Sequence, residues 1–176
     1  MERTLRSRRA FEGRLISLRV DEEELPDGGR ATREIVEHPG AVAILAWDGA
    51  RLAMVRQWRH AAGDVLLEIP AGTLERDEEP LATARRELAE EMGVEAESWA
   101  RGPAFYTAPG FCTERLTLFL ATDLREVEAE APDDEQIERA WVPLREALDG
   151  VEDGRVADAK SIAGILWLAA RLRDGA

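Results

Sequence analysis

Between Gly40 and Asp48 the chain runs Ala41-Val42-Ala43-Ile44-Leu45-Ala46-Trp47 without one charged side chain. A strand with one wet face alternates apolar and polar residues. A short unbroken apolar run bounded by turn residues reads instead as a strand buried on both faces. A chain built around such a strand has to cover both faces of its sheet, so a layered architecture is required. Asp48-Gly49 supplies a turn, and Arg51–Trp58 follows as a second strand. The pair predicts a central hairpin.

The flanking patterns complete an α+β reading with an α/β/α layered core. Residues 11–20 (FEGRLISLRV) predict a strand, Pro26-Asp27-Gly28-Gly29 a hairpin turn, and residues 31–38 a second strand. Residues 1–38 therefore form a small antiparallel β extension ahead of a domain at 39–176. Residues 65–69 predict a short strand closed by Pro70-Ala71-Gly72. Leu81, Ala84, Leu88 and Met92 recur at helical spacing from Pro80 onward, with Gly93 where a helix C-cap belongs. Further strands are expected at 99–106, 115–122 and around Ala140-Trp141-Val142, with helices at 143–149 and 159–173. The chain has no internal repeat, and its 176 residues suit one domain with a small appendage.

Charge narrows the function. The chain carries 23 Lys and Arg against 36 Asp and Glu, a net charge of −13. That balance argues against sequence-independent binding to duplex nucleic acid, which needs a basic footprint. A small anionic substrate remains open if a divalent cation bridges it to carboxylates. The single cysteine, Cys112, allows no intrachain disulfide and suits a reducing cytoplasm. No apolar run approaches the roughly 20 residues that span a bilayer, and the basic start lacks the apolar core of a secretory signal.

The most informative stretch is GTLERDEEPLATARRELAEEMGV, residues 72–94. Its Glu87, Glu90 and Glu91 stand at i, i+3 and i+4 and so project from one helix face, while Ala84 and Leu88 face the core. Like charges so placed destabilise a bare helix, and a hard cation with oxygen ligands would offset them. Mg²⁺ suits that role, because it takes a few carboxylates, keeps waters and is completed by substrate phosphates. Taken alone, such a turn reads as a solvated face paired with Arg85 and Arg86. The flanks alter this. Gly72, Glu78, Arg86, Glu87, Leu88, Glu90, Glu91, Gly93 and Val94 fit G-x5-E-x7-R-E-U-x-E-E-x-G-U, where U is a bulky aliphatic residue. This resembles the Nudix box, the signature of the Nudix hydrolases. The resemblance implies that Glu87, Glu90 and Glu91 hold Mg²⁺, with Mn²⁺ as the alternative, and that the Ala71 carbonyl is a further ligand. It implies a metal that neutralises a pyrophosphate and activates water. Glu78 is expected to reach back to Arg86 and pin loop to helix.

Segments outside the box resemble the ADP-ribose pyrophosphatase and nucleoside diphosphate sugar hydrolase branch. There the N-terminal β unit is exchanged across a homodimer and shapes the nucleoside pocket, and Arg33 and Glu34 match positions that contact adenine. The alternative is that both are exposed strand residues. In Val55-Arg56-Gln57-Trp58-Arg59, Arg59 is the expected phosphate contact, since a guanidinium fork matches phosphate geometry; Trp58 is read as packing or a dimer contact. Glu68 and Glu75 are extra carboxylates ahead of the box, and Glu75 matches a position that helps hold metal. Pro109-Gly110 falls 16 residues after Gly93, where the branch carries a proline, although Ala108 stands in place of the usual serine. The acidic segment 131–141 offers a general base, Glu135 first and Glu138 second, or else a solvated loop. His38, His60 and Cys112 are read as structural. The resemblance therefore implies Mg²⁺-dependent hydrolysis of ADP-ribose to AMP and ribose 5-phosphate by a cytoplasmic, domain-swapped homodimer, with no membrane or nucleic-acid partner. The alternatives are another nucleoside diphosphate sugar, such as ADP-glucose or GDP-mannose, or a module that senses ADP-ribose without cleaving it.

Overall fold

The computed structural model describes residues 1–128 and 137–174, which divide into two compact units. The first comprises Met1–Gly40 with Phe105–Arg115, the second Ala41–Ala104 with Leu116–Ala176.

The first unit is a three-stranded antiparallel sheet in the order β1 (Arg3–Glu12), β2 (Ser17–Glu24), β3 (Arg30–Glu37). The single strand expected at 11–20 is instead a hairpin corner. The chain reverses at Gly13, whose N–H donates to the Ile16 carbonyl at 2.9 Å, so Phe11 pairs with Leu18 and Glu12 with Ser17. The turn at Pro26–Gly29 is as expected, with Gly28 at φ 83°. All ten residues of β1 are exposed. Segment 105–115 runs beside β3: Val36 N–H donates to the Phe111 carbonyl at 2.7 Å and Thr113 N–H to the Val36 carbonyl at 2.9 Å.

In the second unit, β4 (Ala41–Ala46) is buried along its whole length, as its composition requires. It lies in a four-stranded mixed sheet, β7 (Ala71–Thr73)–β4–β9 (Arg115–Glu126)–β8 (Val94–Tyr106), parallel to β9 and antiparallel to β7. The short β7 falls where only a turn was expected. The central hairpin is also not formed. The turn exists, with Ala50 and Arg51 N–H groups donating to Asp48 Oδ1, but beyond the Trp47–Leu52 bridge the strands part. Strand β5 (Arg51–Arg59) joins a second antiparallel sheet, β10 (Ile137–Pro143)–β5–β6 (Asp64–Glu68). Both edges of β4 are already taken by β7 and β9, so β5 has to find its hydrogen bonds elsewhere.

Helix α1 (Pro80–Met92) packs on β4, β5 and β7, and α3 (Ala159–Asp174) covers the other face of β4. Val42, Ile44 and Ala46 share a core with Ala84, Leu88 and Met92 of α1. On the opposite face, Gly164 of α3 sits so close to β4 that an added Cβ would lie 3.2 Å from Leu45 Cδ2. Helix α2 (Leu144–Asp153) packs against α3, β5 and β10. This is the α/β/α layering expected from a strand apolar on both faces.

Candidate active site

The site begins with α1. Pro80 stands in the first turn, where a missing N–H costs nothing, and Gly93 ends the helix at φ 67°. Ala84, Leu88 and Met92 are buried on the core side. Glu87 and Glu90 are half-buried on the same stretch, and Glu91 is almost fully buried at 3 % exposure. An ionised carboxylate at that depth needs partners. Glu91 Oε2 accepts from the Ala71 N–H at 3.0 Å, which ties the helix to β7.

Arg86 organises the acidic face. Its Nη1 donates to Glu87 Oε1 at 2.8 Å and to Glu90 Oε2 at 3.1 Å, while its Nε and Nη2 reach the two Glu78 oxygens at 3.4 Å. The expected Glu78–Arg86 link is thus present, and Arg86 is also the counter-cation of two of the three helix glutamates. Burial works against its charge, but the hydrogen bond to Glu78 and the charges of Glu87, Glu78 and Glu90 outweigh it and raise its pKa. For Glu78, burial is offset by its bonds to Arg86, Thr83 and the Glu75 N–H, and its pKa is lowered.

Gly72 is required by close approach: a methyl group built there would overlap the Glu87 carboxylate. Glu75 is exposed at the start of the loop. Among the described residues, no three acidic, His or Cys side chains are already gathered at metal-ligand spacing. Arg86 lies between Glu87 and Glu90, and Glu91 leans to the Ala71 N–H. The donor set itself is hard oxygen on successive helical positions, with a glycine leaving room beside it. That chemistry fits a small divalent cation of the Mg²⁺ type.

A second charged cluster lies where β5, β6 and α3 meet. Arg59 forms a two-pronged pair with Glu68, Nε to Oε1 at 2.9 Å and Nη2 to Oε2 at 2.7 Å. Lys160 also binds Glu68 and reaches Asp158 Oδ1 at 2.8 Å. Ser161 Oγ accepts the Ile69 N–H at 2.9 Å, so the start of α3 is stapled to the end of β6. Glu68 is 1 % exposed. Burial opposes its charge, yet Arg59 and Lys160 together leave its pKa lowered. Lys160 and Asp158 carried no sequence signal, because their role depends on a strand far away in the chain.

The first unit holds a cavity of about 520 Å³ lined by Arg19, Arg33, Tyr106, Pro109, Gly110 and Phe111, among others. Arg33, Pro109 and Gly110 are therefore brought together. Glu34, exposed and adjacent on β3, points to the opposite face of the sheet, as strand alternation dictates. Arg33 is paired with Glu2 at 2.7 Å, and Arg19 with Asp21 and Glu37, each at 2.8 Å. The aromatic walls Tyr106 and Phe111, both more than half exposed, were not singled out from sequence. His38 Nδ1 accepts the Gly40 N–H at 3.0 Å. Glu135 lies outside the described residues. Glu138 is on β10, largely exposed, 3.9 Å from Arg56.

Residues 37–163 match the NUDIX domain, and residues 2–36 match the nucleoside diphosphate sugar hydrolase N-terminal domain. The chain is 45 % identical over 170 residues to an ADP-ribose pyrophosphatase of Bacillus subtilis, covering 95 % of this chain and 92 % of that protein. It is 43 % identical over 167 residues to an ADP-ribose pyrophosphatase of Mycobacterium tuberculosis, covering 93 % and 81 %. A methanol dehydrogenase activator of Bacillus methanolicus is 39 % identical over 170 residues, covering 95 % and 92 %. The fold is shared with a solved ADP compounds hydrolase, with a TM-score of 0.88 at 21 % identity over 99 % of this chain and 95 % of that one.

Proposed function

The chain belongs to the Nudix hydrolase family, and from that premise we propose that it hydrolyses ADP-ribose to AMP and ribose 5-phosphate. The observation that carries this reading is the acidic turn of α1, complete in sequence and braced by Arg86, Gly72 and the Ala71 N–H. The substrate is suggested by the names of the relatives at 45 % and 43 % identity, which align over almost the whole chain. Enzymes of this kind use a divalent metal. Here Glu87, Glu90 and Glu91, with Glu75 and the Ala71 carbonyl, would hold Mg²⁺, Mn²⁺ serving as a substitute. When bound, the metal neutralises pyrophosphate charge and activates water.

The protein's own groups do the rest. Arg59, fixed by Glu68, presents its guanidinium to a phosphate. Arg33, Pro109 and Gly110 line the nucleoside subsite, with Glu34 contributed through dimerisation. Glu135 is the general base, with Glu138 as its substitute. The N-terminal unit is exchanged in a homodimer. Its exposed Leu5, Phe11, Leu15 and Ile16 support this, since apolar side chains exposed on so small a unit need a covering surface. A cytoplasmic location suits a chain whose single cysteine is a free thiol.

The test is a panel of ADP-ribose, ADP-glucose and GDP-mannose with Mg²⁺, run beside Glu91→Gln. The glutamine keeps an oxygen for the Ala71 N–H, so the fold is retained while a metal ligand is weakened. We expect the highest kcat/KM on ADP-ribose, with AMP as product. Glu91→Gln should lose at least about 100-fold, the scale of one electrostatic stabiliser. A preference for another sugar would overturn the substrate, and near wild-type turnover of Glu91→Gln at saturating Mg²⁺ would overturn the metal assignment.

A further inference from the structure

The last turn of α1 presents an electrostatic problem. Glu90 and Glu91 add negative charge where the helix dipole is already negative, and that turn carries no basic residue. Its final carbonyls also need hydrogen-bond donors. The Ala89 carbonyl is satisfied by the Gly93 N–H at 2.8 Å. Those of Glu90 and Glu91 are met from another element altogether. Arg139, on β10, donates Nε to the Glu91 carbonyl at 2.8 Å and Nη2 to the Glu90 carbonyl at 3.1 Å.

The third arm of the guanidinium covers the helix end. A Cβ on Gly93 would lie 2.7 Å from Arg139 Nη1, so glycine there serves the arginine as well as the left-handed backbone. Arg139 is itself well anchored. It pairs in register with Val55 of β5, between Ile137 and Trp141, which both pack on the core shared by α1. The fork thus ties the backbone of Glu90 and Glu91, two of the three glutamates of the acidic face, to a strand held in register by β5.

We propose that Arg139 is a positioning residue that holds the last turn of α1 so that the Glu90 and Glu91 carboxylates present a pre-set pair to a divalent cation. This rests on the reading that those carboxylates hold the metal. It makes a prediction whose sign is diagnostic. Removing a positive charge beside a cation site strengthens cation binding by Coulomb attraction alone. Loss of positioning weakens it, because misplaced outer-shell partners typically cost 10–100-fold in metal affinity.

The experiment measures Mn²⁺ binding without substrate, by electron paramagnetic resonance of the free ion, together with thermal unfolding. It compares the full-length wild type with Arg139→Met, with Arg145→Met as a control for loss of an exposed cation, and with Glu91→Gln. We expect Arg139→Met to raise the Mn²⁺ dissociation constant by about tenfold and Arg145→Met to leave it unchanged. Unchanged or tighter Mn²⁺ binding by a folded Arg139→Met, including a lowered Tm alone, overturns the proposal. Should Arg139→Met not fold, Arg139→Lys carries the test. It retains the charge but offers one point donor for two carbonyls, so its affinity should fall, and wild-type affinity overturns the proposal. If Glu91→Gln binds Mn²⁺ like wild type, the metal reading itself has failed; if only the Arg139 variants do, positioning alone has.

Discussion

Replacing Glu68 by glutamine should destabilise the fold more than any exposed charge change. The glutamine preserves shape but leaves Arg59 and Lys160 facing a neutral amide at a position only 1 % exposed. Removing one partner of a buried pair costs about 3–5 kcal/mol. The Arg59 side chain is 38 % exposed and so partly screened, which places the loss near the lower end, about 3 kcal/mol. In a chain of this size 1 kcal/mol moves Tm by about 2–4 °C, so a fall of about 6–12 °C is expected by calorimetry or circular dichroism. The pH dependence gives a second check. The folded pKa of Glu68 is lowered, so its contribution is complete above the ordinary carboxylate value of about 4.3 and is lost as pH falls through the folded value. The gap between wild type and Glu68→Gln should therefore narrow only in acid, below about pH 4. A Tm within about 2 °C of wild type at pH 7 would show that the Arg59–Glu68–Lys160 cluster does not stabilise the junction of β5, β6 and α3.

Two further outcomes follow from other parts of the molecule. In a double-mutant cycle, Glu78→Gln and Arg86→Met should couple by at least about 0.5 kcal/mol in stability, since the two side chains share hydrogen bonds; simple additivity would remove the loop-to-helix brace. Deleting residues 1–32 should yield a monomer-prone or aggregating protein with a raised KM for ADP-ribose, measured by light scattering beside kinetics, whereas a full-length protein that is monomeric at micromolar concentration and fully active would remove the exchanged dimer.

What could be read from sequence was local. The bounds of α1, its Gly93 cap and the shared face of Glu87, Glu90 and Glu91 follow from helical periodicity and terminal residues, which act over a few positions. The double burial of β4 follows from its unbroken apolar run, because the composition of a strand records what both of its faces meet. What tertiary structure alone decided was the choice of distant partners. Asp48-Gly49 made a turn, but whether β4 and β5 would stay paired depended on β9 and β10, remote strands that compete for the same backbone groups. The same holds for side chains. Glu91 and Arg86 belong to a contiguous motif, while Arg139 and Lys160 belong to none. Each matters only because a fold brings it to the end of α1 or to Glu68, and electrostatic pairing depends on distance in space rather than separation along the chain.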